Sequence, residues 1–313
     1  APINAWQAGG FRLVFYVEPY LGGTRSSRRS PSRSTSTTRS GTTTCRCCSA
    51  VRLHHLPREL DNVAIVLGPN RYGKAETRVV RVVRDGGHHS ITDLNVSVAL
   101  SGDLAATHLT GDNANVLPTD TQKNTVYAFA KQHGVASPEA FALLLARHFT
   151  ASQPTIDTAR VEIEEYPWNR LGPHSFSRDG SAVRTAAVVV SSTGTEVSGG
   201  LAGLTLLNST DSEFAGFIKD EYTTLPETSD RILATAVDAT WRFASVDADF
   251  NAVYATARDA LVAAFVGTYS HSLQQTLYAM GTAVLEACPS LAEIRLRLRT
   301  STTSWWTARR SAW

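Results

Sequence analysis

The fold is decided by the stretch Thr77-Arg78-Val79-Val80-Arg81-Val82-Val83-Arg84 and by Ile91-Thr92-Asp93-Leu94-Asn95-Val96-Ser97-Val98-Ala99-Leu100. Apolar and polar residues alternate along both, which is typical of strands with one buried face. Outward from this pair, the pattern predicts helices over residues 120–133 and 137–150 and a further strand over residues 160–166. The order is therefore a strand pair, a helix pair and a strand.

A second round of similar elements follows. The pattern predicts strands over 183–191, 204–207 and 235–243, helices over 250–268 and 272–287, and a last strand over 291–298. Two such rounds indicate an internal duplication in residues 61–180 and 181–298. The predicted fold class is α+β, with an antiparallel sheet that carries its helices on one face. Ser137 is the expected N-cap of the helix that begins at Pro138.

The composition is that of a soluble globular protein. The chain has 313 residues, of which 42% are hydrophobic and 19% charged. No stretch approaches the roughly 18 consecutive apolar residues of a membrane span, and the first residues lack the order of a signal peptide. We therefore expect a cytoplasmic protein without a membrane partner. The net charge of +2 gives no reason to expect nucleic acid as a partner.

Residues 24–58 differ in composition from the rest of the chain. They contain eight arginines, no acidic residue and no lysine. A nucleic-acid-binding arm is one interpretation, but such arms are usually rich in lysine as well. The run Cys45-Arg46-Cys47-Cys48 does not have the spacing of a zinc site, so no metal is predicted. Cys288 is expected to be an inert buried thiol.

A set of short segments carries a resemblance to a known family. These are Asn70-Arg71-Tyr72-Gly73-Lys74, residues 118–127, Ser212-Glu213-Phe214, residues 222–225, residues 230–233 and residues 270–276. In this order they resemble the active-site segments of the urate oxidase family. The resemblance implies a tandem tunnelling fold (T-fold), a homotetramer with active sites between subunits, and no metal or organic cofactor. The implied reaction converts urate, O₂ and water to 5-hydroxyisourate and hydrogen peroxide.

Urate is a flat anion, and three residue types here suit it. Arg231 can make the planar bidentate contact that lysine cannot make. Gln274 offers a donor and an acceptor, and Phe214 offers a ring for stacking. The family resemblance places these three around the purine, with Leu225 and the backbone of Leu273 beside them. Each residue type is also common for purely structural reasons.

The resemblance also implies a proton relay made by Lys74 and Thr119, with Thr119 contributed by an adjacent subunit. A lysine removed from water beside a hydroxyl can exchange protons near neutral pH. The structural alternatives are a solvated charge on a strand edge for Lys74 and a helix cap for Thr119. The backbone amide of Asp120 contacts substrate in the family, although its carboxylate could simply favour the helix N-terminus.

The chain departs from the family after Leu298. Restoring one C to a plausible coding sequence for residues 298–307 gives leucine-proline-asparagine-lysine-histidine-histidine-phenylalanine-leucine-valine-aspartate, the family's next segment. That segment contains the family's catalytic histidine, whose place Thr302 takes here. We therefore expect an out-of-frame tail over 299–313, little or no activity in the chain as written, and an unpaired edge beside the last strand. Asn208 also stands where many relatives have lysine.

The first 60 residues resemble a different family. Residues 11–15 resemble a strand of the transthyretin-like 5-hydroxyisourate hydrolases, and residues 41–60 yield that family's C-terminal strings when read in other frames. This hydrolase acts on the product of urate oxidase, which favours a neighbouring gene. Residues 1–60 are therefore predicted to be a non-native or disordered remnant, out of frame from about residue 24.

Two alternatives to an active urate oxidase stay open. Because the histidine is missing, the chain could be a urate-binding pseudoenzyme with impaired catalysis. It could also be a T-fold protein that binds pterins or other purines, although such sites typically need zinc-binding histidines or a glutamate that anchors the ring. Urate binding without peroxide formation would favour the pseudoenzyme.

Overall fold

The structure is a computed structural model that describes residues 66–299 and the backbone of residues 7–8 and 11–17. Its strands are β1 (Gln7–Ala8), β2 (Phe11–Val17), β3 (Tyr72–Asp85), β4 (His88–Gly102), β5 (Ile156–Glu165), β6 (Trp168–Arg170), β7 (Phe176–Arg178), β8 (Val183–Ser191), β9 (Gly194–Asn208), β10 (Leu233–Phe243) and β11 (Leu291–Arg299). Its helices are α1 (Ala105–Leu109), α2 (Thr119–Gln132), α3 (Pro138–Ser152), α4 (Phe250–Gly267) and α5 (Leu273–Ala287).

Nine strands form one sheet in the order β1-β2-β11-β10-β9-β8-β5-β4-β3. All pairs from β3 to β11 are antiparallel, and β6 pairs with β7 in a separate hairpin. The four long helices pack on one face of the sheet, α2 on β3, α3 on β5 and β8, α4 on β9, and α5 on β11. The predicted α+β class and the antiparallel sheet with helices on one face are confirmed. The division into repeats at residue 180 stays a prediction.

The predicted unpaired edge beside β11 is wrong. Residues 293–298 of β11 pair in parallel with residues 12–17 of β2, from Glu293 opposite Arg12 to Leu298 opposite Val17. An edge strand presents a row of unpaired N–H and C=O groups, and any extended segment of sufficient length can pair with them. The predicted remnant over 1–60 and the tail over 299–313 otherwise lie outside the described residues, as do the arginine-rich segment 24–58 and its cysteines.

Most elements begin and end within a few residues of the prediction, and β9 is the main exception. It begins at Gly194 although only residues 204–207 were predicted, because its glycines weaken the strand pattern. Two of those glycines are required by close packing. A Cβ on Gly199 would lie 2.7 Å from Nε1 of Trp241, and a Cβ on Gly200 would lie 2.3 Å from the carbonyl oxygen of Ala239. The sheet therefore needs glycine where local propensity opposes a strand.

Three of the long helices begin at a side-chain cap. Ser137, Asp249 and Ser272 each accept a hydrogen bond from the backbone N–H three residues later, and Pro138 follows Ser137 as predicted. Cys288 is the C-cap of α5 and is buried, which raises the pKa of its thiol. No helix among the described residues is long and apolar enough to cross a membrane. The cytoplasmic location stays a prediction.

The core lies between the helices and the sheet. Its largest fully buried side chains come from both halves of the chain, and they include Leu94, Leu145, Phe149, Ile163, Trp241, Leu261, Phe265, Leu277 and Met280. They belong to one cluster of buried residues that extends from β3 to β11. Burying apolar surface gives roughly 25 cal/mol per Å², so this shared core joins the two predicted repeats energetically.

A buried ion pair crosses the middle of the core. Arg184 on β8 donates to Oε2 of Glu139 on α3 at 2.7 Å and to Oδ1 of Asn251 on α4 at 2.8 Å. Its guanidinium also lies 4.5 Å from the ring centroid of Tyr254. Burial raises the pKa of Glu139, and the charge of Arg184 opposes that rise. Because Glu139 is fully buried, its carboxylate depends on Arg184 for a compensating charge.

We expect Arg184→Met to destabilise the protein by about 3–5 kcal/mol, because removing one partner leaves a buried carboxylate without its opposite charge. The measurement is chemical unfolding followed by circular dichroism. Arg160→Met is the matched control, since Arg160 on β5 pairs with Glu162 where both side chains are exposed. That change should cost less than about 1 kcal/mol. Equal losses for the two variants would contradict the central role of Arg184.

Candidate functional site

Lys74 lies next to a bulge in β3. Lys74 is opposite Val98, whereas Thr77 is opposite Val96, so Ala75 and Glu76 both face the single residue Ser97. Glu76 has a φ of 56°, in the left-handed region, and its N–H donates to Oγ of Ser97 at 3.1 Å. Bulges of this kind redirect the side chains beside them. The Lys74 side chain is exposed, and its ammonium has no hydrogen-bond partner within residues 66–299.

Thr119 and Asp120 begin α2 close to this strand. Asp120 pairs with Lys123, which is the main reason that its pKa is lowered, and the charge of Lys74 contributes to the same shift. Thr119 is the first helical residue, and no side chain caps this helix. The alternative that Thr119 serves as the cap is therefore wrong, because the N-cap is Pro118. Its exposed hydroxyl is free of hydrogen bonds to the other described residues.

Tyr72 connects the two segments; it belongs to a resembling segment, but no role was predicted for it. Its hydroxyl donates to the carbonyl oxygen of Leu117 at 3.1 Å and accepts from the N–H of Leu117 at 2.8 Å. Leu117 lies two residues before Thr119, and Tyr72 lies two residues before Lys74. The double contact therefore holds the start of α2 against the start of β3. Partial burial raises the pKa of Tyr72.

A second group forms in the loop between β9 and β10. Phe214 pairs with Thr228 across this loop, and the N–H of Arg231 donates to the carbonyl oxygen of Ser212 at 2.8 Å. The guanidinium carbon of Arg231 lies 5.2 Å from the ring centroid of Phe214. The predicted pair of a planar cation and an aromatic ring is thus assembled. Phe217 stacks on the ring of Phe214, with the two ring centroids 4.9 Å apart.

Arg231 keeps part of its guanidinium available. Its Nε donates to Oγ of Ser212 at 3.3 Å, and its two terminal nitrogens have no hydrogen-bond partner within residues 66–299. Partial burial lowers the pKa of Arg231 from its ordinary value, yet an arginine side chain stays charged in proteins. A planar anion could therefore bind to this fork and lie near the ring of Phe214.

The start of α5 lies beside this loop. Ser212 forms a bridge with Ser270, and the N–H of Glu213 donates to the carbonyl oxygen of Ser270 at 2.8 Å. Ser272 caps the N–H of Gln275 and leaves the N–H groups of the first two helical residues, Leu273 and Gln274, without an acceptor among the described residues. The Gln274 side chain is exposed.

Leu225 lies in the same loop, between β9 and β10. Its side chain is 58% exposed, and the neighbouring Ile218 and Tyr222 are more exposed still, at 96% and 79%. No ring contact or polar contact joins Leu225 to Arg231 within the part of the chain that the structure describes. The structure therefore places Leu225 in the β9–β10 loop with its side chain exposed.

The two groups lie at opposite ends of the sheet. Lys74 is on the edge strand β3, whereas α5 packs on β11, and β11 is six strands away from β3 in the sheet order. At about 4.8 Å per strand, this is a separation on the order of 29 Å. One copy of the chain therefore does not bring Lys74, Thr119 and Asp120 together with Phe214, Arg231 and Gln274.

A cavity of ≈ 460 Å³ lies on neither group. It is lined by residues of β4, β5, β8, β9 and β10 that include Asn95, Ser97, Arg160, Glu162, Thr185, Ser198 and Thr240. By strand alternation, most of these side chains point away from the helices. None of the residues predicted for the site lines this cavity. Within the described residues, no cluster of three or more His, Cys, Asp or Glu side chains could hold a metal ion.

The sequence patterns missed three side chains beside the second group. Nδ1 of His271 lies 2.5 Å from Oε1 of Glu213, and the hydroxyl of Tyr269 donates to Oε2 of Glu213 at 3.1 Å. Both contacts lower the pKa of Glu213, the contact with His271 most. Glu213 and His271 belong to two of the resembling segments, so their nearness to the site was available as a signal. Asn208 donates to the carbonyl oxygen of Phe265, near the end of α4.

Comparison with known proteins agrees with the resemblance. The family model described as uricase matches residues 70–189 and 197–305. The chain is 50% identical to a uricase of Arthrobacter globiformis over 75% of this chain and 78% of the relative. It is 39% identical to a uricase of Aspergillus flavus, over 69% and 77%. A crystal structure of the Arthrobacter globiformis uricase covers 73% of this chain and 80% of its own with a TM-score of 0.72.

Gly73→Ala should weaken the fold around Lys74, because the added Cβ would lie 1.8 Å from the backbone oxygen of Val98. β3 and β4 would have to separate at this point. We therefore expect the free energy of unfolding to fall by about 1–3 kcal/mol, as at other overpacked sites. Thermal unfolding measures this loss. Gly180→Ala is the matched control, since nothing lies within 4 Å of its Cβ position. An equal melting temperature for the two variants would contradict the close approach at Gly73.

Proposed function

We infer that this chain, which belongs to the uricase family, oxidises urate with O₂ and water to 5-hydroxyisourate and hydrogen peroxide. The observation that carries the proposal is the arrangement of Arg231 and Phe214. A partly buried guanidinium lies beside an aromatic ring and has two terminal nitrogens without partners among the described residues. This arrangement suits a flat anion that needs both a charged fork and a stacking surface.

The start of α5 completes the proposed binding site for the purine. The exposed amide of Gln274 can donate to one ring atom and accept from another. The free N–H groups at the start of α5 lie at the positive end of the helix, where they favour an anionic ring. Leu273 supplies one of these N–H groups, and Leu225 supplies apolar surface at the rim.

Lys74, Thr119 and Asp120 are proposed to come from an adjacent subunit. The separation of the two groups within one copy supports this, because the site is incomplete until β3 and α2 of one copy meet the β9–β10 loop of another. The exposed apolar side chains of that loop also favour burial against a second copy. A homotetramer with sites between subunits is the assembly that we propose.

In this arrangement Lys74 and Thr119 move protons at the purine. The Thr119 hydroxyl makes no hydrogen bond within the described residues, so it can both donate and accept at a substrate or a water molecule. Lys74 supplies or accepts the proton on the other side of that hydroxyl. The N–H of Asp120 binds substrate while its carboxylate stays paired with Lys123. The chemistry is proposed to need no metal or organic cofactor.

The proposed relay also needs the histidine that the alternative reading frame supplies after Leu298. We therefore propose that the chain as written binds urate but turns it over slowly. The known relatives named above are uricases, so a pterin-binding function is not favoured.

The first test compares the 313-residue chain with a version whose missing base is restored so that translation continues in the other frame. The restored version should bleach the near-ultraviolet absorbance of urate and release peroxide, with and without a chelator. The chain as written should do so at least about a hundredfold more slowly, as expected when one member of a proton relay is lost. Equal turnover would contradict the role of the histidine, and loss of activity with chelator would contradict the cofactor-free reaction.

Arg231→Lys in the restored version should weaken urate binding although the charge is kept, because lysine cannot make the bidentate contact. A loss of about 1.5–3 kcal/mol is expected for hydrogen bonds to a charged group. Steady-state kinetics measure the change in KM and kcat/KM. Arg258→Lys on the exposed side of α4 is the matched control and should leave both unchanged. Unchanged kinetics in Arg231→Lys would remove this residue from the site.

A further inference from the structure

The carboxylate of Glu213 is held from two sides by the segment that precedes α5. Its Oε1 contacts Nδ1 of His271 at 2.5 Å, and its Oε2 accepts from the hydroxyl of Tyr269 at 3.1 Å. The same tyrosine hydroxyl lies 3.3 Å from the carbonyl oxygen of Ser229, near the other end of the β9–β10 loop. The carboxylate of Glu213 thus connects the start of the β9–β10 loop with the residues that precede α5 and, through Tyr269, with the end of the loop.

These contacts lie within two residues of the groups that bind the purine in the proposed function. Glu213 directly precedes Phe214, and Ser229 lies two residues before Arg231. On the other side, His271 lies two residues before Leu273, and its N–H donates to Oε1 of Gln275 in the first turn of α5 at 2.8 Å. A displacement of the carboxylate would therefore be transmitted to the ring, to the guanidinium and to the helix N-terminus together.

The backbone alone already joins the two segments. The N–H of Ser270 donates to the carbonyl oxygen of Asp211 at 2.9 Å, and the N–H of Glu213 donates to the carbonyl oxygen of Ser270 at 2.8 Å. Ser270 itself is fully buried and accepts from the hydroxyl of Thr276. The loop therefore stays attached without the side chain of Glu213. The carboxylate adds a fixed orientation of the β9–β10 loop relative to the start of α5.

Because solvent reaches the pair of Glu213 and His271, its effect on substrate positioning can be distinguished from a contribution to the stability of the fold. The side chain of His271 is 63% exposed and that of Glu213 is 29% exposed. Ion pairs with this much contact with solvent contribute little to the free energy of unfolding. Substrate positioning is more sensitive, because a misplacement of about 1 Å in a site can cost a large factor in binding or rate.

We propose that Glu213, through His271 and Tyr269, is a positioning residue for the urate site, and that it sets the β9–β10 loop against the start of α5. This proposal rests on the proposed function. Glu213 does not touch the substrate in it. The other charged groups near the pair are Asp211 and Asp230, which act on Tyr269.

The test is calorimetric titration of the full-length chain with urate in the absence of O₂, so that binding is measured without turnover. Glu213→Ala should weaken urate binding about tenfold, as expected for the loss of a hydrogen-bonded charge. Glu213→Gln keeps an acceptor for Tyr269 and should recover most of the affinity. Glu227→Ala is the matched control, because Glu227 pairs with Lys219 inside the same loop without reaching α5. It should bind as the unaltered chain does.

A double-mutant cycle with His271→Ala gives a second measurement. If the two side chains act through one contact, the double variant should bind urate no more weakly than the weaker single variant. The thermal midpoint of unfolding is recorded for each variant and should stay within a few degrees of the unaltered chain, as expected for a pair that solvent reaches.

The outcomes separate the two proposals. Absence of urate binding by the unaltered chain overturns the proposed function and this inference with it. Binding by the unaltered chain together with equal binding by Glu213→Ala overturns the inference alone. A loss of affinity that follows a matching fall in the thermal midpoint, without recovery in Glu213→Gln, shows a merely structural residue and also overturns it. Additive losses in the cycle do the same.

Discussion

The contact on which the arrangement of the helices depends is the buried guanidinium of Arg184. Apolar contacts between helices and a sheet are not directional, so they favour burial without selecting one orientation. A planar guanidinium is directional, and Arg184 reaches from β8 to α3 through Glu139 and to α4 through Asn251. Asn251 in turn donates to the carbonyl oxygen of Ala136, just before α3. The inner helix of each pair is thereby tied to the same strand.

The positions of the outer helices, α2 and α5, follow from these contacts of the inner helices. α2 packs on α3 and α5 packs on α4, and the candidate site residues lie at the starts of α2 and α5. Because one pair lies above the β3 end of the sheet and the other above the β11 end, the same packing that stabilises the fold keeps the two groups of candidate site residues apart in one copy. One copy can therefore be stably folded without bringing these two groups together.

Much of this could be predicted from the sequence, and the failures have identifiable causes. β8 was predicted at its exact bounds, because Val183 to Ser191 are strong strand formers. The start of β9 was missed because Gly199 and Gly200 are required by contacts with β10, and such contacts leave no local pattern. The group around Arg231 was predicted by resemblance. The contacts of Glu213 with His271 join positions 58 residues apart, which no local rule can pair. The roles of all site residues in the reaction stay predictions.

The parallel pairing of β2 with β11 constrains the proposed repair of the reading frame after Leu298. The edge of β11 that faces away from β10 has room for one neighbour, and residues 11–17 hold it. If the segment after Leu298 in the restored frame turned back as a further strand beside β11, it would need the same row of N–H and C=O groups. The two segments would then be competitors for one place, and the N-terminal strand would have to leave before the C-terminal one could pair. Residues 12–17 thus protect the edge of β11 from other chains and at the same time occupy the place that a further strand would need.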